Sequence, residues 1–401
     1  MAKKNIDSVG VAGKRVLVRV DFNVPIQDGA IGDDRRIRAA LPTIRSIVER
    51  GGRAVLMSHL GRPKGEGYEP NRTLKPCAGA LAALIGRPVL FPSNDCVDAA
   101  AARAVADMRD GEIVLLENLR FHKQEKAGEV DFAGRLAAYG EVYVNEAFGT
   151  CHRPHASMVA TPEAMAGKPR VMGFLVEKEI AYLSHALAEP DSPFVVVLGG
   201  VKVSDKMGAI EHLLPGADHV LVGGAMAYTF LKALNKNVGE SRVEEDRLDD
   251  ARRAIELAAK LEAQLHLPED HVCSTEFSET IGRIRVFEEQ IEDGYMGLDI
   301  GPKTQARFSR LIRDAKTVVW NGPMGVFEWR PFRAGTEIVA TALAGATEAG
   351  ATTIIGGGDS ASAAEMFGVA DKVSHVSTGG GASLEMLEGK TFQSVALLDD
   401  D

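Results

Sequence analysis

The segment FVVVLGGVKVSDKMGAI, residues 194–210, combines features suited to binding a phosphate. Four apolar residues, 195–198, lead into paired glycines, and Lys202 and Lys206 follow four positions apart. Backbone amides at a glycine turn and lysine ammonium groups both hold anionic oxygens. The segment lacks the spacing of a Walker A loop. It therefore indicates a phosphate site of another kind.

Three arginines of the first half follow apolar runs that are typical of strands. Arg62 lies in HLGRP, Arg120 in NLRF and Arg153 in NEAFGTCHRPH. Ligands of an open α/β sheet collect outside the carboxyl ends of its strands. A guanidinium also matches phosphate or carboxylate oxygens in a bidentate manner. Together with His59 and Arg36, these arginines predict a site for a small polyanion.

Glycine-rich turns follow the apolar runs of the second half. They are GGVKVSDK (199–206), GGAMA (223–227), NGPMGVFE (321–328), GGGDS (356–360) and STGGGAS (377–383). Glycine lets the backbone approach a ligand closely, and the N-terminus of a following helix offers unpaired N–H groups to anionic oxygens. Asp359 lies among such amides and is a candidate magnesium ligand, because magnesium phosphate sites use one or two carboxylates. Five successive turns of this kind predict a nucleotide site.

Short runs rich in Val, Ile and Leu alternate with helix-like segments along the chain. The predicted strands are 15–20, 53–58, 112–117, 141–146, 194–198, 219–222, 317–320, 352–355 and 373–377. The predicted helices are 36–50, 98–109, 206–213, 247–263, 335–349 and 360–367. Strands that are apolar almost throughout and separated by helices indicate parallel sheets covered on both faces. We therefore predict an α/β fold of two Rossmann-like lobes, each a parallel sheet covered by helices.

The boundary between the lobes is predicted near residues 170–190. Pro169 and Gly173 precede a helix-like segment there, and Pro190 and Pro193 follow it. We predict an N-terminal lobe at 1–175, a hinge helix at 176–190 and a C-terminal lobe at 191–384.

The net charge of −10 is unevenly distributed over the 401 residues. Residues 1–180 hold 26 Lys and Arg against 22 Asp and Glu, whereas the remainder holds 20 against 34. The first half is thus better suited to a small, highly charged anion. No basic run interleaved with aromatic residues occurs, so no nucleic-acid partner is expected. No apolar stretch approaches a membrane span and no signal-peptide pattern is present, so we expect a cytoplasmic protein without a membrane partner.

The four cysteines are widely separated and form no CxxC motif. They are Cys77, Cys96, Cys151 and Cys273. Their spacing gives no support to a disulfide framework or to a zinc site, and we expect scattered reduced thiols.

Two nucleotide-binding motifs are matched only in part. GKT at 389–391 imitates the end of a P-loop, but Leu384 stands where the first glycine must be. GGGDSA at 356–361 satisfies GxGxxA, but no acidic residue follows at the required distance in a complete βαβ unit. A Rossmann-type dehydrogenase is therefore the alternative enzyme, and a non-catalytic nucleotide-binding regulator is the alternative from another class.

Nine segments resemble, in order and over nearly the whole chain, the phosphoglycerate kinase family. They are RVDFNVP, DDRRIRAALPTI, SHLGRPKG, ENLRF, HRPHAS, LGGVKVSDK, NGPMGVFE, GGGDS and STGGGAS. The resemblance implies reversible phosphoryl transfer between 1,3-bisphosphoglycerate with ADP and 3-phosphoglycerate with ATP, dependent on Mg²⁺, in glycolysis and gluconeogenesis. We expect a monomer in which hinge closure assembles the site.

The resemblance also implies roles for individual residues. The 3-phosphoglycerate site would comprise Asp21, Asn23, Arg36, His59, Arg62, Arg120 and Arg153. The nucleotide site would comprise Lys202, Gly223, Gly224, Gly297, Asn321, Glu328, Gly357, Gly358, Asp359 and Ser360, with Asp359 facing the metal. Arg36 and Lys206 would neutralise the phosphoryl group during transfer. Residues 385–401 would pack back onto the first lobe.

Five positions depart from the commoner family pattern. Val201, Cys151 and Pro154 stand where alanine is usual, Glu146 replaces an aspartate and Ser360 replaces a threonine. No charged catalytic group is lost. Because a carboxylate acceptor is already ionised at neutral pH, the reaction needs no general base, and catalysis is expected to be electrostatic.

Overall fold

The computed structural model describes residues 3–27, 29–261 and 263–401, without the side chains at 185 and 186. The chain packs as two compact units, each with its own sheet. The first unit is Met1–Ile180 with Thr391–Asp401, and the second is Ala181–Lys390. No helix in the described part of the chain combines the length and the apolar character needed to cross a bilayer.

The first unit contains the strands and helices up to residue 180. Its strands are β1 (Arg15–Val20), β2 (Ile26–Gln27), β3 (Ala30–Ile31), β4 (Arg53–Met57), β5 (Val89–Leu90), β6 (Ile113–Leu115), β7 (Val142–Glu146) and β8 (Arg170–Met172). Its helices are α1 (Arg35–Glu49), α2 (Lys75–Ile85), α3 (Ala99–Ala106), α4 (Lys123–Ala127), α5 (Val130–Ala137), α6 (Ala160–Ala164) and the beginning of α7 (Phe174–Ala188).

The first sheet is parallel throughout, with the strand order β5-β6-β4-β1-β7-β8 among the described residues. Apolar side chains of β1, β4 and α1 share one core, including Val18, Leu56 and Ile44. Since neighbouring strands run the same way, the loops that follow β1, β4, β6 and β7 leave the sheet at one edge. That edge carries the arginines singled out in the sequence.

The second unit contains the remaining elements apart from the last helix. Its strands are β9 (Phe194–Leu198), β10 (His219–Val222), β11 (Gln264–His266), β12 (Asp270–Ser274), β13 (Ile284–Glu288), β14 (Met296–Ile300), β15 (Thr317–Asn321), β16 (Thr352–Gly356) and β17 (His375–Val376). Its helices are α8 (Met207–Leu213), α9 (Met226–Ala233), α10 (Leu248–Lys260), α11 (Pro302–Arg313), α12 (Ala334–Glu348), α13 (Gly358–Met366) and α14 (Gly380–Leu387). The final helix, α15 (Gln393–Ala396), belongs to the first unit.

The second sheet is also parallel, with the order β11-β10-β9-β15-β16-β17 in the described chain. Its core contains the fully buried Trp320, Phe308 and Val339. The predicted α/β class, with two helix-covered parallel sheets, is confirmed. A small antiparallel sheet of order β13-β12-β14 was not predicted. β13 is mostly exposed, so it lacks the continuous apolar run that identified the other strands.

Helix α7 begins against a buried carboxylate. Thr43 Oγ1 donates a hydrogen bond of 2.6 Å to Glu146, and the backbone N–H of Leu175 lies 3.2 and 3.1 Å from the two carboxylate oxygens. Burial raises the pKa of Glu146 to about 8. The boundary between the units falls within α7. The hinge role of this helix stays a prediction.

The C-terminal segment pairs with the beginning and end of the first unit. Lys3 Nζ lies 2.8 Å from Asp400 Oδ1, and the Arg170 backbone N–H donates to Asp399 Oδ2 at 3.0 Å. Ser394 Oγ donates to the Cys151 carbonyl at 2.8 Å.

Candidate active site

The loop after β1 is held by Arg36. Arg36 Nη1 donates to Asp21 Oδ2 at 3.0 Å and to the Asn23 carbonyl at 3.2 Å. Asn23 Oδ1 in turn accepts from the Gly61 backbone N–H at 2.8 Å, and this bond ties the loop after β1 to the loop after β4. Gly61 has a φ of 62°, a conformation that favours glycine. The structure thus brings three predicted residues together, Asp21 and Asn23 from the loop after β1 and Arg36 from the start of α1.

Arg120 has a buried guanidinium group, two of whose nitrogen atoms have no hydrogen-bond partner among the described residues. Its side chain is 5% exposed, and Nη1 donates to the Gly61 carbonyl at 2.7 Å. Nε and Nη2 have no hydrogen-bond partner among the described residues. Burial, together with the positive charges of Arg19 and Arg153, lowers the pKa of Arg120 to about 10. Unpaired buried donors are costly, and an anionic ligand would satisfy them.

His59 follows β4 at the carboxyl edge of the first sheet, and its side chain is buried, with 3% exposed. Its Nδ1 lies 3.2 Å from Arg19 Nη2 and 3.6 Å from Asp21 Oδ1. Burial and the surrounding arginines hold the pKa of His59 well below its usual value, so the ring is neutral at pH 7. His59 therefore supplies a neutral polar group at the site, while the arginines supply the charge.

Sequence reasoning missed a buried polar layer behind these residues. Arg19, on β1, is fully buried, and its Nε donates to Ser157 Oγ at 2.8 Å. Ser157 Oγ donates to Glu125 at 2.6 Å, and His155 Nδ1 lies 3.9 Å from the same carboxylate. Burial, reinforced by Arg120, lowers the pKa of His155 to about 3. The available signal was an arginine inside the apolar strand RVLVRV, since charged side chains are rarely fully buried without a partner.

Arg62 and Arg153 are more exposed than the other predicted residues of this unit. Arg62 follows Gly61 in the loop after β4, and Arg153 lies near enough to Arg120 to lower its pKa. Arg153 Nε lies 3.2 Å from His152 Nε2. Their contact with substrate stays a prediction.

A cavity of about 640 Å³ opens at the carboxyl edge of the second sheet. The turns after β9, β15 and β16 and the N-terminus of α14 form its walls. Seven residues that the sequence singled out line it: Lys202, Lys206, Asn321, Gly357, Gly358, Asp359 and Ser360. Val201, one of the departures from the family pattern, also lines it and is 49% exposed.

Glycines allow the turns beside this cavity to pack backbone against backbone. The Gly200 N–H donates to the Pro323 carbonyl at 2.9 Å, and the Gly224 N–H donates to the Met324 carbonyl at 3.0 Å. A Cβ on Gly224, which has a φ of 68°, would lie 2.5 Å from the Gly200 nitrogen, and one on Gly223 would lie 2.4 Å from Met324 Sδ. Gly223 and Gly224 therefore support the cavity from behind, and the described lining does not include them.

Lys206 lies immediately before α8 and donates through Nζ to Asn321 Oδ1. Burial lowers its pKa, an effect that Asp205, Asp359 and Glu388 oppose. Residues 204–206 form a turn that leads into α8, so neither lysine lies within a helix. Lys202 is exposed, whereas Lys206 is half-buried.

The N-terminus of α13 faces the same cavity. Gly357 precedes the helix with a φ of 91°, and the exposed Asp359 lies in the first turn. The first N–H groups of a helix have no partner within the helix and attract anions. Ser360 Oγ accepts from the Gly322 N–H at 2.6 Å, so its hydroxyl also fixes the turn after β15.

Besides Gly223 and Gly224, two further predicted residues lie outside the described cavity lining. Gly297, on β14, packs against Tyr228, and a Cβ there would lie 1.9 Å from the Tyr228 hydroxyl. Glu328 is exposed in the turn after β15. The packing explains the glycine at 297, while a role of either residue in nucleotide binding stays a prediction.

Comparison with known proteins agrees with the geometry of both edges. The family model of phosphoglycerate kinase matches residues 6–390. The chain is 53% identical over 403 residues to the phosphoglycerate kinase of Rhodopirellula baltica and 51% identical over 410 residues to that of Lactobacillus acidophilus, with 100% of each chain covered. The solved structure of phosphoglycerate kinase from Coxiella burnetii aligns with a TM-score of 0.88 at 36% identity, covering 98% of both chains. The solved structure of phosphoglycerate kinase from Pyrococcus horikoshii aligns with a TM-score of 0.84 at 32% identity, covering 98% of both chains. The chain belongs to the phosphoglycerate kinase family.

Proposed function

We propose that the first unit of this family member binds 3-phosphoglycerate and that the second binds the nucleotide. The reaction class follows from the family: the chain is a kinase of glycolysis, a phosphotransferase with a carboxyl acceptor and a nucleotide substrate. The assignment of substrates to units, the roles of individual residues and the use of Mg²⁺ are the parts proposed.

The observation that carries the first assignment is that Nε and Nη2 of the buried Arg120 guanidinium have no partner among the described residues. Its two free donor nitrogens lie in a buried site where Asp21, Asn23 and His59 are already held by hydrogen bonds or close contact. The carboxylate and phosphate of 3-phosphoglycerate both accept charge-assisted hydrogen bonds, which offset the desolvation of the cation. Arg62 and Arg153, which are exposed, would complete the contacts when the ligand binds.

The second assignment follows from the donors that face the 640 Å³ cavity. Lys202 would contact the nucleotide phosphates, and the backbone N–H groups at the start of α13 would hold their oxygens. Lys206 is already desolvated and bonded to Asn321, and it would follow the transferring phosphoryl group. Gly223 and Gly224 would support the site through the packing of its turns, and Gly297 and Glu328 would shape its outer part.

The residues of this cavity fit a magnesium ion. Asp359 is an exposed carboxylate on the cavity wall, and Asp205, Glu385 and Glu388 line the same space. Hard carboxylate oxygens are the ligands that Mg²⁺ prefers, together with waters and substrate phosphates. When bound, the ion would neutralise charge on the nucleotide phosphates. We propose Asp359 as its protein ligand.

Transfer needs cations more than it needs an acid or base. The acceptor carboxylate is ionised at pH 7, and the transferring group spreads negative charge over its equatorial oxygens. Arg36 and Lys206 would stabilise that charge from the two substrate sites. Because the two substrates are assigned to different units, we propose that hinge closure brings them into line and excludes water. A cytoplasmic monomer without nucleic-acid or membrane partners also stays a prediction.

Calorimetric titration of each substrate separately tests the assignment. We expect Arg36→Ala to weaken 3-phosphoglycerate binding and to leave Mg-ADP binding unchanged, whereas Lys202→Ala has the opposite pattern. Arg38→Ala is the matched control, since Arg38 is exposed on the same helix and pairs with Asp34 at 2.8 Å. Loss of both affinities in one variant, with the fold intact, would contradict the division between the units.

A further inference from the structure

Three side chains with metal-binding atoms, none of them assigned to either substrate, meet in the first unit. Oxygen, sulfur and nitrogen atoms of Asp95, Cys96 and His122 all lie within 4.8 Å of one another. Asp95 Oδ1 and His122 Nε2 are 3.1 Å apart. The first two residues belong to the loop between β5 and α3, while His122 lies between the Leu119–Phe121 turn and α4. The distance of His122 along the chain explains why cysteine spacing gave no sign of a site.

We propose that Asp95, Cys96 and His122 form a binding site for Zn²⁺ or a similar thiophilic divalent cation. Ligand atoms at about 2.0–2.3 Å from a tetrahedral ion lie roughly 3.3–3.7 Å from each other. The Asp95–His122 separation is already near this value, and the upper bound of 4.8 Å on the sulfur contacts requires only small side-chain movements. Nitrogen, sulfur and oxygen ligands are those zinc uses in proteins, whereas a thiolate disfavours Mg²⁺.

The charges of the three ligands suit a divalent ion. A carboxylate, a thiolate and a neutral imidazole would together cancel the charge of Zn²⁺. When the ion binds, the Cys96 thiol gives up its proton to solvent as the S–Zn bond forms. The ion would also replace the hydrogen bond between Asp95 and His122.

Exposure gives the ion an entry path and a position for water. The side chain of Asp95 is 40% exposed and that of His122 is 20% exposed, whereas Cys96 is fully buried. The ion would thus enter from the carboxylate side, with the sulfur beneath it and a water as fourth ligand. Three protein ligands plus water is the arrangement of an open zinc site.

Neighbouring contacts hold two of the ligands in place. The Val97 N–H donates to Asp95 Oδ1 at 2.8 Å, and Arg135 Nη2 donates to the Val97 carbonyl at 2.7 Å. The His122 ring packs on Phe132 with centroids 5.1 Å apart. Outer contacts of this kind orient ligands and increase metal affinity.

The site adjoins the turn that carries Arg120. His122 follows Phe121 directly, and its backbone N–H donates to the Leu119 carbonyl at 3.2 Å. A bound ion would therefore link the loop before α3 to the segment that positions Arg120. This gives the proposed site a physical connection to the polyanion edge without sharing any of its ligands.

Titration of the metal-free full chain with Co²⁺ and with Zn²⁺ tests the proposal. We expect Co²⁺ to produce the near-ultraviolet charge-transfer absorption of a thiolate–cobalt bond, and Zn²⁺ to abolish it at one equivalent. Cys96→Ser should remove the band, and Asp95→Asn and His122→Gln should weaken Zn²⁺ binding by at least about tenfold. Cys77→Ser is the matched control, because Cys77 is also fully buried in this unit and lies outside the cluster.

Two results would overturn the proposal. One is the absence of a thiolate–cobalt band in the unaltered protein. The other is Zn²⁺ affinity that is the same in Asp95→Asn, His122→Gln and the Cys77→Ser control. Because Asp95 and His122 are partly exposed, their variants keep the test decisive if Cys96→Ser fails to fold, and circular dichroism confirms the fold of each.

Discussion

Replacing Arg120 by methionine should lower the affinity for 3-phosphoglycerate and raise the free energy of unfolding of the ligand-free protein. Methionine fills a similar volume and brings no donors. Two donor nitrogens available to 3-phosphoglycerate are lost, at about 1.5–3 kcal/mol for each charge-assisted bond. Affinity for 3-phosphoglycerate should therefore fall by roughly two to four orders of magnitude, at about 1.4 kcal/mol per factor of ten.

The free protein should become more stable in the same variant. The fall in the pKa of Arg120 from 12.5 to about 10 corresponds to a cost of about 3 kcal/mol for keeping the cation in place. Removing the side chain also loses the charge-assisted bond to the Gly61 carbonyl, at about 1.5–3 kcal/mol. We expect a net gain of about 0.5–2 kcal/mol in the free energy of unfolding.

Thermal unfolding with and without 3-phosphoglycerate measures both effects. The substrate-free variant should melt above the unaltered protein by a few degrees, and saturating 3-phosphoglycerate should raise the melting temperature of the unaltered protein alone. Arg38→Met, on an exposed arginine, controls for the loss of a positive charge. A variant that melts lower without ligand, or that binds 3-phosphoglycerate normally, would refute the reasoning.

Three further predictions concern catalysis, pH and metal. Arg36→Ala and Lys206→Ala should each lower kcat by roughly 10³–10⁵ with an unchanged circular dichroism spectrum; near-normal turnover in both would refute their assignment. Glu146, with a pKa of about 8 when folded and about 4.3 when unfolded, binds more protons in the folded state, so the free energy of unfolding should fall by up to about 4 kcal/mol from pH 5 to 8. Urea unfolding should show a smaller fall in Glu146→Gln; identical pH profiles would contradict this. Asp359→Asn should raise the Mg²⁺ concentration for half-maximal activity by roughly tenfold and leave 3-phosphoglycerate binding unchanged, and an unaltered Mg²⁺ requirement would exclude Asp359 as the ligand.

The central strands could be predicted because burial on both faces leaves a strong signal. β1 and β9 are apolar almost throughout and have the bounds expected from sequence. The short edge strands β5 and β11 have too few residues for such a pattern. β13 has an exposed face bearing Ile284 and Val286, so its apolar residues did not indicate a core.

The candidate site was predictable where function requires a particular residue next to a strand end. Arg36 and Asp21, or Lys206 and Asn321, lie together because parallel strands deliver their loops to one edge. The buried partners behind that edge were not predictable, since the link between Arg19 and Ser157 depends on side-chain packing. Sequence spacing likewise carries no information on which distant residues will meet.

The return of residues 391–401 to the first unit affects how the chain can mature during translation. The residues that bond to Lys3 and Arg170 are synthesised after the whole of the second unit. A nascent chain halted at residue 180 has every strand of the first sheet. It lacks the segment 391–401 that contacts Lys3 and Arg170 in the folded unit. Of the two units, the one that begins to leave the ribosome earlier is therefore completed later, and the second can fold while the first still lacks residues 391–401.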